Sequence, residues 1–232
     1  MLATLALTWL ALATPAQATP PPPKPHVIVF LDRVAEPPTY SAVEQTRIQG
    51  EHLTNMQVMY EKRDAFLIGP FEESAPYHGI LIMNMSRDAA VARLAEDPLV
   101  KAGLVNPVVI PVSADVTVFK QADDFLEQKN RQLVIFRDRT EVPPMRPEAL
   151  AKIQADTALR LTEFEEKFWI PYRALPDMGE IREIWVVDTE DGTPVRAFFA
   201  NDPRVENGLM EVQVLTFKST RDTFLAQPPR AN

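Results

Sequence analysis

Three histidines, His26, His52 and His78, are the side chains of this sequence best suited to proton transfer at neutral pH. An imidazole titrates near neutrality, so it can take or release a proton without extreme tuning. The chain has no cysteine, so thiol nucleophiles, disulfides, cysteine metal sites and a lipid-modified cysteine are not expected. No serine is marked by its context as a nucleophile. Proton transfer, elimination or isomerisation therefore fits these residues better than acyl transfer.

The sequence gives little support for a metal, a nucleotide or a nucleic acid. The histidines lack a close metal-ligand spacing such as H-x-E-x-H or H-E-x-x-H. The seven glycines form no phosphate-binding loop. With a formal charge of -8 and no run of lysine or arginine, the chain lacks the basic face that nucleic acid requires. We therefore predict no metal and no other cofactor, and we expect a small-molecule ligand.

Several landmarks recur about 105 residues apart along the chain. "DPLVKAGL" begins at Asp97 and "DPRVENGL" begins at Asp202, which is an offset of 202 − 97 = 105. "RIQ" and "KIQ" share that offset, and "VIVFLDR" and "LVIFRDR" recur with an offset of 106. Because so many landmarks stay nearly in step, the sequence predicts a tandem duplication.

The elements that must position the histidines follow from the hydrophobic pattern. In the first copy, short apolar β-branched runs predict strands, and stretches with helical spacing predict helices. The strands are expected in "HVIVFL", "AFLIG", "GILIMNM" and "PVVIPV", and the helices over 41–62 and 87–96. Ser86 is expected to cap the second helix, and Asp97-Pro98 to end it.

The second copy is expected to repeat this order. Its strands are predicted in "QLVIF", "FWIPY", "REIWVV" and "MEVQVLTF", and its helices over about 147–167 and 193–200. The order β-α-β-β-α-β is the ferredoxin-like split pattern, with helices on one face of the sheet. The predicted fold class is α+β, with two tandem ferredoxin-like domains packed sheet to sheet as an intramolecular pseudo-dimeric α/β barrel.

In "RIQGEH" (47–52), "LIGPF" (67–71) and "EDPLVKAGL" (96–104), the first copy resembles the YCII-related domain family of the dimeric α/β-barrel superfamily. The resemblance covers most of residues 26–113 and, more weakly, 132–217. It implies a ferredoxin-like domain that pairs into a barrel, with a site made by the helix histidine and the aspartate before proline. Dehydrochlorination of a chlorinated aromatic is among the few activities assigned in that family.

Carried onto this chain, the resemblance implies a catalytic pair of His52 and Asp97. A carboxylate bonded to one ring nitrogen would fix the tautomer of a His52 general acid or base. The alternative is that both residues are structural. His52 lies on the apolar face of its helix and could be a core residue, and the sole role of Asp97 could be to end a helix. For the protein as a whole, the alternative is a non-catalytic ligand-binding or partner-binding protein of the cell envelope.

The remaining predicted site residues surround this pair. Arg47, Gly69 and Pro70 belong to the motifs that would line the pocket. His78 either joins the same pocket or lies in an exposed loop before a strand, and the loop is the interpretation we favour. In the second copy Thr157 stands where His52 stands in the first (52 + 105 = 157), while Asp202 persists. Thr157 cannot exchange protons at neutral pH, so only the first copy is expected to be active.

The ends of the chain predict export. Residues 1–18, "MLATLALTWLALATPAQA", form an apolar run with a small-x-small cleavage pattern, as expected of a signal peptide cut near Ala18. That run is too short for a permanent membrane anchor. The mature protein would be periplasmic or secreted, and monomeric. Its expected parts are a proline-rich spacer (19–25), domain 1 (26–119), a polar linker (120–131), domain 2 (132–224) and a tail (225–232).

Overall fold

The computed structural model describes residues 25–177 and 179–226. The predicted signal peptide, most of the spacer and most of the tail lie outside these residues. The first half of the chain contains β1 (His26–Arg33), α1 (Ala42–Glu61), β2 (Ala65–Pro70), β3 (Tyr77–Met83), α2 (Arg87–Ala95), α3 (Pro98–Lys101) and β4 (Val105–Ala114). The second half contains β5 (Gln128–Asp138), α4 (Pro147–Lys167), β6 (Tyr172–Pro176), β7 (Ile181–Val187), α5 (Thr193–Ala200), α6 (Pro203–Glu206) and β8 (Met210–Thr220).

All eight strands belong to one antiparallel sheet, in the order β2-β3-β1-β4-β6-β7-β5-β8. The two halves join where β4 pairs with β6, from Val112 opposite Pro176 to Ala114 opposite Ala174. At the other end of the order, β8 lies beside β2 and one bridge links Phe71 to Phe217. The α+β class and the barrel-like arrangement are confirmed, as a single, nearly closed sheet.

Gly69 allows β8 to approach β2 where the two ends of the sheet meet, which we call the seam. A Cβ atom at Gly69 would overlap the main-chain carbonyl oxygen of Lys218. Next to it, the Glu72 N–H donates to the Thr216 carbonyl at 3.3 Å. A side chain at position 69 would therefore push the two strands apart.

The strands bury alternate residues in different cores, as the pleat requires. In β1, Ile28 and Phe30 join a cluster that draws residues from strands of both halves inside the barrel. Val27, Val29 and Leu31 face the other way and pack under α1 and α2. A third cluster lies under α4 and α5, and contains the aromatic residues Phe136, Phe164, Trp185 and Phe199.

Three sequence predictions of the fold need correction. β6 begins at Tyr172 and not at Phe168, because Phe168 caps α4 and packs against Phe164 with ring centroids 4.7 Å apart. The predicted linker (120–131) is too long, because its last residues already form β5 from Gln128 onwards. Asp97 does more than end α2, because its side chain caps the start of α3.

Within residues 25–177 and 179–226, no helix has the length and apolar character needed to cross a membrane.

Candidate active site

Helix α1 presents His52 to the interior. Its start is fixed by a capping box, in which the Ser41 hydroxyl accepts the Glu44 N–H and the Glu44 carboxylate accepts the Ser41 N–H. Ile48, His52 and Met56 then follow at intervals of four residues and are all buried. This spacing places them on one helix face. His52 is 5% exposed, so its polar atoms need partners inside the protein.

The main partner of His52 is Asp97, at the junction of α2 and α3. The Asp97 carboxylate accepts the Leu99 N–H at 3.0 Å, and this contact caps α3. Its two oxygens lie 2.9 and 3.0 Å from His52 Nδ1. The pair predicted from the sequence is therefore in direct hydrogen-bond contact, between residues 45 positions apart in the chain.

Asn55 completes the shell around the Asp97 carboxylate. Its Nδ2 donates to Asp97 Oδ2 at 2.7 Å, and its Oδ1 accepts from Arg93 Nη2 at 2.8 Å. Burial is the largest influence on this carboxyl and opposes ionisation. The hydrogen bond and electrostatic attraction from His52, followed by the hydrogen bonds from Asn55 and Leu99, outweigh it and keep the pKa of Asp97 below its ordinary value. Asp97 is therefore a carboxylate at neutral pH.

His52 forms part of the wall of a cavity of about 340 Å³ between α1 and the outer face of β1–β3. The wall is mainly aliphatic, with Leu31, Met56, Ile68 and Leu81 among its members. The volume lies within the range of small-molecule pockets. None of the described residues that line it is Lys, Arg, Asp or Glu. The cavity is therefore an uncharged, largely apolar chamber with an imidazole in its wall.

His78 lines the same cavity. It lies in β3 and is half-buried, so the interpretation of His78 as an exposed loop residue is wrong. Its ring centroid is 6.4 Å from that of His52, and the two rings are inclined at 65°. Burial, followed by repulsion from a protonated His52 and from Arg33, lowers the pKa of His78, while Asp97 partly opposes this effect. His78 is therefore a neutral imidazole at neutral pH.

The other predicted pocket residues have different positions. Gly69 and Pro70 line the cavity. Arg47 does not line it: its side chain is 60% exposed and bonds to Glu51, one turn along α1, at 2.8 Å. Arg47 is thus a surface residue of the helix.

Sequence reasoning missed three contributors to the site. Asn55 stands three residues after His52, on the same helix face, and this spacing was the available signal. Phe125 and Leu126 come from the predicted linker, yet both line the cavity. Phe125 packs against Tyr60 with ring centroids 5.0 Å apart. An apolar pair inside an otherwise polar stretch was the signal for this contact.

The corresponding place in the second half has no imidazole. Thr157 is buried there, and no described residue hydrogen-bonds its hydroxyl. The Asp202 carboxylate caps α6 through the Arg204 N–H at 2.8 Å. The same carboxylate accepts the Arg204 side-chain Nε–H at 3.0 Å and Nη2–H at 2.9 Å. A guanidinium thus neutralises this carboxylate, and no imidazole of the described part of the chain hydrogen-bonds to it.

Among the described residues, no three His, Asp or Glu side chains are grouped where they could hold a metal ion.

Neither protein-family models nor curated proteins match this chain. Among solved structures, a heme-binding protein from Thermus thermophilus is similar at 10% identity with a TM-score of 0.48, over 88% of this chain and 92% of that one. A proposed monooxygenase from Lactobacillus acidophilus is similar at 12% identity with a TM-score of 0.45, over 88% and 99%. An anthrone oxidase-like protein is similar at 8% identity with a TM-score of 0.44, over 85% and 92%. At such low identity, the chemistry of this chain must be argued from its own site.

Proposed function

We propose that this protein is a small-molecule enzyme that transfers protons with His52, oriented by Asp97, in the cavity beneath α1. One observation carries the proposal: Nδ1 of a buried imidazole is bound to a buried carboxylate at 2.9 Å, and the same imidazole lines an apolar cavity of about 340 Å³. A core histidine that served packing alone would need no cavity beside it.

The hydrogen bonds assign the role of each nitrogen. Because Asp97 is ionised, it accepts a hydrogen bond, so the neutral His52 ring carries its proton on Nδ1. The lone pair then lies on Nε2, for which no described residue provides a hydrogen bond. Nε2 is thus the atom that takes a proton from a ligand, and the Asp97 charge stabilises the imidazolium that results. Such a base serves proton transfer, elimination or isomerisation.

The test uses 2-naphthol, an uncharged bicyclic phenol whose excited state is a much stronger acid than its ground state. Bound beside a base in a largely apolar cavity, it should emit as naphtholate. We expect the wild-type protein to bind 2-naphthol and to give naphtholate emission. The His52→Gln variant should bind it with similar affinity but emit as the neutral naphthol, because glutamine cannot accept the proton.

Three other outcomes of the 2-naphthol experiment would each contradict part of the proposal. Binding with equal naphtholate emission from the wild type and the variant would overturn the role of His52. Binding without naphtholate emission from either protein would favour the non-catalytic ligand-binding alternative. A protein that does not bind the probe would contradict the proposed use of the cavity.

We propose also that the two halves are tandem ferredoxin-like domains that arose by duplication. Several paired features support this interpretation. Each half follows the same strand order in the sheet, and each has an aspartate cap before a four-residue helix. Gly103 and Gly208 both have φ +67, and they lie close to Pro38 and Pro143, again 105 residues apart.

Membership of the YCII-related family and export remain parts of this proposal. The contact between His52 and Asp97 supports the family assignment, because that resemblance implies a site of these two residues. N-terminal sequencing of protein from the periplasm and culture medium of an expressing bacterium tests export. A mature terminus near Thr19 is expected, and intact protein confined to the cytoplasm would contradict it.

A further inference from the structure

His78 is an imidazole in the cavity wall for which the proposed pair supplies no role. No described residue hydrogen-bonds its ring nitrogens, although the side chain is half-buried. His78 also borders a second, more open hollow that lies against α1, and Gln49 and Leu53 border both spaces. The ring therefore stands where a ligand would enter and face His52.

The spacing of the two rings suits one small functional group. With centroids 6.4 Å apart, each ring can place a nitrogen about 3 Å from a different atom of the same ligand. A carbonyl oxygen and the carbon next to that carbonyl are two bonds apart and fit between them. Both rings have a lone pair, but Asp97 contacts only His52 and stabilises only its imidazolium, so His52 is the stronger base and His78 is left to give a hydrogen bond.

The wall also restricts the charge of the ligand. It offers aliphatic carbon, the two imidazoles and side-chain amides, and the described lining residues include no charged group. A phosphate or carboxylate buried there would have no counter-ion, which is costly in free energy. The chamber therefore selects an uncharged ligand.

We infer that the substrate is an uncharged, largely apolar carbonyl compound and that His78 is a second catalytic residue. His78 donates a hydrogen bond to the carbonyl oxygen while His52 removes the proton from the adjacent carbon. This inference rests on the proposed function of His52.

The step balances without a further reactant. The lone pair of His52 Nε2 takes the proton, and the electrons of the broken C–H bond form the new carbon–carbon double bond. The π electrons of the carbonyl move onto its oxygen, where the His78 N–H stabilises the developing negative charge. A neutral imidazole can act in this way. If the proton on His52 is replaced by a deuteron from the solvent before it returns to the same carbon, the result is exchange, whereas return to a conjugated carbon gives an isomer.

The test follows exchange of the α-protons of 2-tetralone, an uncharged bicyclic ketone, in D₂O by proton NMR. The wild-type protein should accelerate exchange. His78→Phe keeps a ring of similar shape but has no N–H, and should lose about 100-fold in rate. His78→Gln places an amide N–H at nearly the same reach and should stay within about tenfold of the wild type. If the phenylalanine variant does not fold, His78→Leu carries the same comparison.

Two results separate this inference from the proposed function. The comparison of naphtholate emission between the wild type and His52→Gln tests His52 by itself, because excited 2-naphthol has no carbonyl oxygen for His78 to bind. A carboxylate-bearing 2-tetralone should bind on the order of 100-fold more weakly than the parent ketone. If His78→Phe exchanges 2-tetralone as fast as the wild type, or if the charged ketone binds equally well, the inference is wrong even when His52 acts as the base. Absence of any wild-type acceleration also overturns it.

Discussion

Arg204 lies two residues after Asp202 and donates two side-chain hydrogen bonds to the Asp202 carboxylate, at 3.0 and 2.9 Å. The residue two positions after Asp97 is Leu99, which offers that carboxylate its main-chain N–H alone. Asp97 therefore has oxygen lone pairs left for His52 and Asn55, which come from another helix. The helix-capping aspartate therefore forms an ion pair with Arg204 in the second half of the chain, whereas in the first half it orients the His52 imidazole.

Replacing Asp97 with asparagine should disable the site while keeping the cap of α3, because asparagine is also a good N-cap. The new amide would present an N–H to His52 Nδ1, move the ring proton to Nε2 and so remove the acceptor. Naphtholate emission from bound 2-naphthol should fall by about tenfold or more. Fluorescence and thermal unfolding of the same sample measure both effects.

Asp202→Asn is the matched control for that substitution. It removes the same charge from the same motif and leaves Arg204 without its anion, but it is remote from His52. Its thermal stability should fall while its naphtholate emission stays at the wild-type level. Equal loss of emission in the two variants would show that the effect of Asp97→Asn is a general consequence of weakened folding.

The lowered pKa of Asp97 predicts a specific acid dependence of stability. Because the folded pKa lies below the unfolded value of about 3.9, the carboxylate contributes stability that is fully present above that value. This contribution is lost as the pH falls through the folded pKa. The difference in unfolding free energy between the wild type and Asp97→Asn should therefore shrink on acidification below about pH 4. Urea unfolding from pH 6 to pH 2.5 measures it, and a constant difference would contradict the shift.

The lowered pKa of His78 predicts a dependence of the same sign in a higher pH range. Its folded pKa is lowered, so the unfolded chain binds a proton on this residue more readily than the folded protein does. Below the ordinary pKa of about 6.5, that difference destabilises the fold as the pH falls towards the folded value. His78→Gln should lose less stability than the wild type between pH 7.5 and pH 5.5. Parallel pH profiles for the two proteins would show that His78 titrates normally.

Gly69→Ala should open the seam between β2 and β8. Its methyl group has no room beside the Lys218 carbonyl, so we expect a loss of about 3 kcal/mol or more in unfolding free energy. Gly50→Ala is the control, since nothing lies within 4 Å of a Cβ at this exposed position of α1. It should stabilise the protein by about 0.5 to 1 kcal/mol. Urea denaturation compares the two variants, and a mild effect at Gly69 would mean that the seam adapts.

The sequence was most informative where one physical rule dominates. Residues 27–31 of β1 are all apolar because both faces of the strand are buried there, so its position could be predicted. The offset of 105 residues aligns His52 with Thr157, so the sequence alone indicated that the second half lacks the histidine. β6 was misplaced because Phe168 and Trp169 are apolar for another reason: Phe168 packs on α4, and Trp169 packs against the barrel core.

The composition of the cavity could not be predicted in the same way. His78 follows Tyr77 in a strand whose register places it opposite α1, and only the folded sheet shows that both histidines line one space. Phe125 and Leu126 lie in a segment without regular secondary structure, so no periodic pattern indicates where their side chains point. The pair of His52 and Asp97 could be predicted from motifs, whereas the cavity around it depends on contacts between distant segments.

The central claim is that His52 offers the lone pair of Nε2 to the cavity, and nitrogen-15 NMR of the histidine side chains tests it most directly. When the ring is neutral, we expect it to be protonated on Nδ1 and unprotonated on Nε2, with the Nε2 resonance moving when 2-naphthol binds. A ring protonated on Nε2 alone, or an Nε2 resonance that the ligand leaves unchanged, would contradict it.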